Sequence, residues 1–242
     1  MNRALLLMLL QLALAPLAAG EEMKLDRAPI DPQDAVSLQR GAKVFVNYCL
    51  NCHSAENMRY QRLSDLGLTE VQIRDNLMFA TDKVGDTMTV AMRRKDAKTW
   101  FGVAPPDLTV IARSRGADWL YTYLRTFYRD DSRDTGWNNL AFPSVGMPHA
   151  LYELQGVQVL KVEEQKGEHG AESVKTLSLQ TPGKLSPQEY DQLTADLVNY
   201  LVFMGEPAHL SRQRIGYAVL IFLGVLFIPV YLLKRDYWKD VH

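Results

Sequence analysis

Apolar and polar positions alternate in a way that sets two uninterrupted apolar runs at the ends of the chain and periodic segments between them. The C-terminal run, residues 215–233, holds no charge and is bracketed by Arg212 and Arg214 before it and Lys234 and Arg235 after it. At ~1.5 Å rise per residue it comes close to spanning the ~30 Å hydrocarbon core of a bilayer. Gly216, Gly224 and Pro229 are tolerated in a membrane helix, and Tyr217, Tyr231, Tyr237 and Trp238 suit its interfaces. A buried core helix is the other use of such a run, but a charge-free stretch of this length favours the membrane. At the N-terminus, residues 1–20 read as a secretory signal: Arg3, an apolar core over 4–15, then the small residues Ala18-Ala19-Gly20. Cleavage after Gly20 leaves Glu21 first. An uncleaved anchor is the alternative, and the short core favours cleavage.

Between the runs, helical spacing dominates. Residues 21–30 form a polar, extended arm. Pro32 opens a helix whose apolar face is Ala35, Leu38, Ala42, Phe45 and Val46, with Gly41 either allowing another helix close or simply tolerated at some cost. Residues 54–66 read as a loop. Thr69 and Gln72 form a capping box for a helix to about Phe79, and 86–100 reads as a second, irregular helix carrying Met88 and Met92 as packing residues. An aromatic helix spans 116–128. Residues 157–162 and 174–179 alternate as a hairpin, with Gly167 and Gly170 near its tip. Ser186-Pro187-Gln188-Glu189 is a strong helix start, with Leu193, Leu197, Tyr200 and Leu201 on one face and a stop near Gly205 and Pro207. Ser211 then begins the membrane helix.

The chemistry concentrates in Cys49-Leu50-Asn51-Cys52-His53. C-x-x-C-H is the attachment pattern of a c-type haem. Thiols one turn apart can each add to a vinyl group of one porphyrin, and the following imidazole can ligate the iron. A structural zinc site needs four ligands, and these are the only two cysteines in the chain. A redox C-x-x-C sits at a strand-to-helix junction, whereas a helix leads into Cys49. A plain disulfide is the remaining alternative. The net charge of -1 points away from nucleic acid.

Two residues compete for a sixth ligand. Met147, in Val145-Gly146-Met147-Pro148, offers a thioether on a shaped loop, and Met/His ligation raises a reduction potential. His149 is its rival, although a loop histidine is often a surface residue. Met204 reads as packing. Pro105-Pro106 supply carbonyls without competing N–H groups, suited either to fixing the His53 tautomer or to an ordinary rigid turn. Arg113 and Arg115 match carboxylates such as haem propionates, or serve as solvated surface charge. Asp130, Asp131 and Asp134 make a polar loop that suits solvent better than a basic partner.

These motifs together resemble the cytochrome c1 family, the haem subunits of quinol–cytochrome c reductase (the cytochrome bc1 complex). The resemblance covers nearly all of the chain after residue 20. It is carried by 49–54, Met58-Arg59-Tyr60, Ala104-Pro105-Pro106-Asp107-Leu108, Arg113, Arg115, Gly146-Met147, Glu206-Pro207, Arg212 and 216–235. It implies a mainly α fold: a cytochrome c-like haem domain with a small hairpin insertion and one C-terminal transmembrane helix. The segments are then 1–20 signal, 21–210 haem domain with the hairpin at about 156–181, 211–235 anchor and 236–242 cytoplasmic tail. The resemblance further implies one covalent haem c on Cys49 and Cys52, axial ligands His53 and Met147 in preference to His149, and propionate contacts from Arg115, with Arg113 and Pro106 nearby. It implies an electron relay with no substrate bond chemistry of its own, a subunit of the oxidoreductase. The electron comes from a Rieske iron–sulfur protein and goes to a cytochrome c, beside cytochrome b. The haem domain is periplasmic and the inner membrane is crossed once. Two departures stand out. Trp100-Phe101 replace an Asn-rich stretch of mitochondrial members, and no further cysteine exists for the disulfide of some bacterial ones. Another anchored monohaem cytochrome, such as an oxidase-associated one, or a haem-based sensor are the alternative functions.

Overall fold

The computed structural model describes residues 23–167 and 170–240. The signal segment 1–20, its cleavage point and the last two residues of the tail lie outside them. Helix α1 (Ala35–Val44) starts where Asp34 accepts from the Val36 and Ser37 amides. Its last turn widens into a π-helical stretch, Phe45–Cys49. Strand β1 (Ala55–Arg59) and a 3-10 segment (Tyr60–Leu66) precede α2 (Glu70–Leu77), which carries the Thr69–Gln72 capping box. Then come β2 (Thr87–Met88), α3 (Arg94–Phe101), α4 (Ile111–Arg115), α5 (Ala117–Arg125), β3 (Phe127–Arg129), β4 (Trp137–Asn139) and α6 (Tyr152–Gln155). The hairpin β5 (Gly156–Gly167) and β6 (Gly170–Pro182) follows, then α7 (Pro187–Gly205) and α8 (His209–Tyr237). The fold is mainly helical, with three small antiparallel strand pairs, β1–β2, β3–β4 and β5–β6.

Helices α1, α5 and α7 enclose the core. Leu38, Ala42 and Phe45 meet Leu197, Tyr200 and Leu201, all buried, with the Phe45 and Tyr200 rings 5.6 Å apart. The helices cross at Gly41, where a β carbon would lie 2.0 Å from the Asp196 carbonyl oxygen. The buried Asp196 carboxylate accepts from Ser37 Oγ at 2.7 Å and Arg40 Nη2 at 2.8 Å, so its charge is paired and hydrogen-bonded. The N-terminal arm docks on α5: the Asp26 amide donates to Thr122 Oγ1 and the Ala28 amide to Asp118 Oδ1. Ser186 and Glu189 form the capping box of α7, with Pro187 in its first turn.

Three expectations need correction. Residues 54–66 are not a plain loop, and 86–100 is not one helix. Met88 and Thr87 pair with Ala55 and Arg59, burying Ala55, Met58 and Met88 together. The Val90 amide then donates to Ser54 Oγ, which holds 89–90 extended, so α3 begins only at Arg94. Met88 therefore packs from a strand rather than from a helix face. The aromatic helix stops at Arg125, not at 128. Buried Asn139 donates its Nδ2 to the Tyr123 carbonyl at 2.7 Å, taking an acceptor that a longer helix would use, and Phe127–Arg129 pairs with Trp137–Asn139.

The hairpin springs from a tight root. Gly156, at φ +97°, would place a β carbon 2.2 Å from the Thr181 carbonyl oxygen, and Gly183 one 2.3 Å from that of Leu154. Helix α8 is apolar enough over Ser211–Tyr237 to cross a membrane, and its most apolar stretch is not buried against the other described residues.

Candidate functional site

The end of α1 sets the site. Through the π-helical turn the Leu50 amide reaches the Phe45 carbonyl, and the Cys52 and His53 amides both reach the Cys49 carbonyl at 3.0 and 2.9 Å. Such widened turns recur at functional sites. The motif is thus wound into one turn, and Cys49, Cys52 and His53 line a single cavity of ≈ 310 Å³. The walls are overwhelmingly apolar, with Leu120, Leu124, Val145, Leu197 and Leu201 among them. Val103 and Phe142 line it too while remaining exposed, so they mark its mouth.

His53 is buried, and its Nδ1 lies 2.7 Å from the Pro106 carbonyl oxygen. A carbonyl only accepts, so Nδ1 carries the proton and Nε2 keeps its lone pair. Burial lowers the His53 pKa, partly offset by that carbonyl, and so favours the neutral, ligating form. The Pro106 loop is itself fastened to the segment after His53. Asp107 Oδ2 accepts from the Glu56 amide at 2.7 Å and Oδ1 from Thr109 at 2.9 Å, and the Leu108 amide donates to the Ser54 carbonyl. This role of Asp107 goes beyond its place in the Pro105-Pro106-Asp107-Leu108 motif. Its signal was the Asx-turn pattern, an Asp two residues before the amide it accepts.

Met147 lines the same cavity, and Tyr123 Oη donates to its Sδ at 3.3 Å. The loop leading to it is built by two asparagines. Asn139 Oδ1 accepts from the Ala141 and Phe142 amides, and Asn138 Oδ1 from Ser144, which sits at φ 62°. Gly146 packs against Val103 and Phe101, where a β carbon would lie 3.1–3.2 Å from its neighbours. His149 faces elsewhere. It is buried against Phe127, stacked at 4.8 Å, and edge-on to Trp137, and it is not part of the cavity wall. Burial lowers its pKa to about 4.

The two arginines separate. Arg115 lines the cavity with its guanidinium 4.9 Å from the Trp119 ring centroid, and among the described residues it has no carboxylate partner. Arg113 is not in the wall. Its stem lies beside Gly205 of α7.

The donors suit a haem better than their rivals. Burial pushes the Cys49 thiol up to about 12 and raises Cys52 as well, whereas a redox dithiol needs a lowered pKa. Among the described residues no three His, Cys, Asp or Glu side chains cluster as a metal-ion site. What remains is an imidazole lone pair, a thioether, two thiols and a guanidinium around an apolar cavity, a set that fits a haem.

A model described as the Cytochrome C1 family matches residues 26–158 and 183–241. The chain belongs to the cytochrome c1 family. Cytochrome c1 of Allochromatium vinosum is 53% identical over 235 residues, 96% of each chain. A protein of Nitrosomonas europaea named ammonia monooxygenase gamma subunit is 52% identical over 244 residues, 99% of this chain and 100% of that one. Cytochrome c1 of Rhodospirillum rubrum is 27% identical over 238 residues, 86% of this chain and 83% of its own. The first two names differ although both proteins match at nearly equal identity, so the family model carries the assignment rather than either name. Membership of the cytochrome c1 family implies a haem cofactor. The stretch that the family model passes over, 159–182, falls within the hairpin.

Proposed function

We propose that this chain is the haem-bearing electron-transfer subunit of a quinol–cytochrome c reductase. One observation supports this above the rest. In a member of the cytochrome c1 family, Cys49, Cys52, His53 and Met147 share the wall of one apolar cavity. Haem held there supplies a one-electron centre. Cys49 and Cys52 would fasten it through thioethers, and His53 Nε2 and the Met147 sulfur would hold its iron. The Pro106 carbonyl fixes the ring orientation of His53 from behind. Arg115 would face a propionate, its guanidinium steadied on Trp119. The apolar walls exclude water, and the methionine and burial both favour a raised potential.

The relay needs a partner on each side. The Rieske iron–sulfur protein is the proposed donor and a cytochrome c the acceptor, each approaching the mouth at Val103 and Phe142. The chain makes and breaks no substrate bond. The apolar length of α8 supports reading an exported haem unit over 21–210 and an anchor over 211–235 beside cytochrome b. The haem domain then stands on the periplasmic face of the inner membrane, with 236–242 in the cytoplasm.

The test is purification of the full chain from its native membrane. One covalent haem by mass spectrometry, with a b-type cytochrome and a Rieske protein in the same complex, is the expected result. A chain free of porphyrin, or one isolated with neither partner, overturns the reading.

A further inference from the structure

Tyr123 stands out because both halves of its side chain are committed. Its ring stacks on Trp119, centroids 4.8 Å apart at 11°, and meets Phe127 edge-on at 5.0 Å. Its hydroxyl is inside the cavity wall, and Met147 Sδ at 3.3 Å is its only hydrogen-bond partner among the described residues. A buried phenol needs an acceptor, and a thioether sulfur is a weak one. Burial alone therefore does not explain the choice. The backbone on either side is tied down by one residue. Asn139, fully buried, donates to the Tyr123 carbonyl and accepts from the Ala141 and Phe142 amides that begin the methionine loop. The helix carrying the phenol and the loop carrying the sulfur are thus held in register by the same side chain.

A thioether has two lone pairs. One is needed for iron, if Met147 is the ligand as proposed above; the other is the one the phenol can reach. We propose that Tyr123 is a positioning residue for the methionine sulfur: its hydroxyl, held by Trp119, Phe127 and Asn139, occupies one lone pair, leaves the other for the iron, and raises the reduction potential. The direction follows from electron demand. A donated hydrogen bond draws density from sulfur, a poorer donor stabilises the oxidised iron less, and the reduced form gains. A hydrogen bond also fixes the thioether against rotation, so the bond to iron survives competition from added ligands.

The structure contains its own control. Tyr200 Oη also donates to a methionine sulfur, Met88 Sδ at 3.7 Å, but neither residue lines the cavity. The experiment compares Tyr123→Phe, Tyr200→Phe and Met147→Leu in the full haem-loaded chain. The readouts are redox titration, the sulfur-to-iron(III) charge-transfer band, and imidazole binding to the oxidised protein. Tyr123→Phe is expected to lower the equilibrium constant for reduction about threefold, ~30 mV at 59 mV per tenfold for one electron. It should also weaken the charge-transfer band and tighten imidazole binding. Tyr200→Phe should change none of these, whatever it does to stability. A ring-fluorinated tyrosine at 123, a stronger donor of nearly the same shape, should move the potential the opposite way and covers the case of a poorly folding phenylalanine variant. Tyr123→Phe that only lowers the melting temperature, with potential and band unmoved while Met147→Leu changes both, overturns the proposal. Met147→Leu with no effect on either removes this inference and the ligand assignment beneath it, and is recognisable as such.

Discussion

Gly41→Ala sets two effects of opposite sign against each other. In a helix interior, alanine is favoured over glycine by ~1 kcal/mol, so local propensity alone forecasts a more stable protein. The crossing with α7 forecasts the reverse. The new β carbon would lie 2.0 Å from the Asp196 carbonyl oxygen, 2.7 Å from its carbonyl carbon and 2.7 Å from Tyr200 Cβ, where ordinary contact begins at 3.4 Å. Closing that gap requires α1 and α7 to separate by about 1.4 Å, the difference between 3.4 and 2.0 Å, because the Asp196 main chain and the Tyr200 β carbon cannot swing aside. Overpacking of this kind costs up to ~3 kcal/mol, and it also stretches the Ser37 and Arg40 bonds to Asp196. The net loss is therefore ~2 kcal/mol, or a fall of roughly 4–8 °C at ~2–4 °C per kcal/mol for a domain of this size. Circular dichroism melts of the haem-loaded protein in detergent, at matched concentration and scan rate, measure it. Gly85→Ala serves as a control, because nothing lies within 4 Å of its β carbon. A Gly41→Ala protein that melts at or above the unaltered temperature would refute the close-crossing account and leave propensity in charge.

Met147→Leu should keep the covalent haem yet lower the reduction potential, read by redox titration; an unchanged potential places the ligand elsewhere. Asp107→Ala removes the acceptor of the Glu56 and Thr109 amides and should cost ~1–3 kcal/mol of stability in thermal melts, with Asp107→Asn losing less. The Asp130 carboxylate is held below its ordinary range by hydrogen bonds from the Ser132 and Asn138 side chains. Its folded pKa is depressed, so its contribution is complete above the ordinary carboxylate range and disappears as pH falls through the lowered value. Exchange protection of the Ser144 amide, held by Asn138, should decline over that acid window, and Asp130→Ala should produce the same loss at neutral pH.

What could be read from the chain alone follows the range of the interactions. The C-x-x-C-H turn, the Ser186–Glu189 cap and the apolar run before Lys234 are contiguous patterns, and the structure places a turn, a helix start and a long apolar helix there. Gly41 admits two readings from the sequence, a close approach or simple tolerance of glycine, and the crossing with α7 decides for the first. The missed features are non-local. Strand β2 is two residues long and exists only because β1 lies opposite. The aromatic helix ends early because Asn139, sixteen residues after Tyr123, takes its carbonyl. Arg113 and Arg115 looked equivalent, but residues two apart on a helix face different ways. One turns to α7 and the other to the cavity. The Tyr123–Met147 contact joins a helix to a loop twenty-four positions on, and no local spacing encodes it.

Gly156 and Gly183 press so close together that the ribbon between them leaves the body through a neck with no slack. A neck of that kind works like the collar of a grafted branch. Just past it Gln158 Nε2 donates to the Arg125 and Phe127 carbonyls, so the graft is tied to the trunk at its base, and a change of length is expected to spare the buried pocket only when made farther out along the ribbon. The family model resumes at residue 183, one position past the ribbon's last strand.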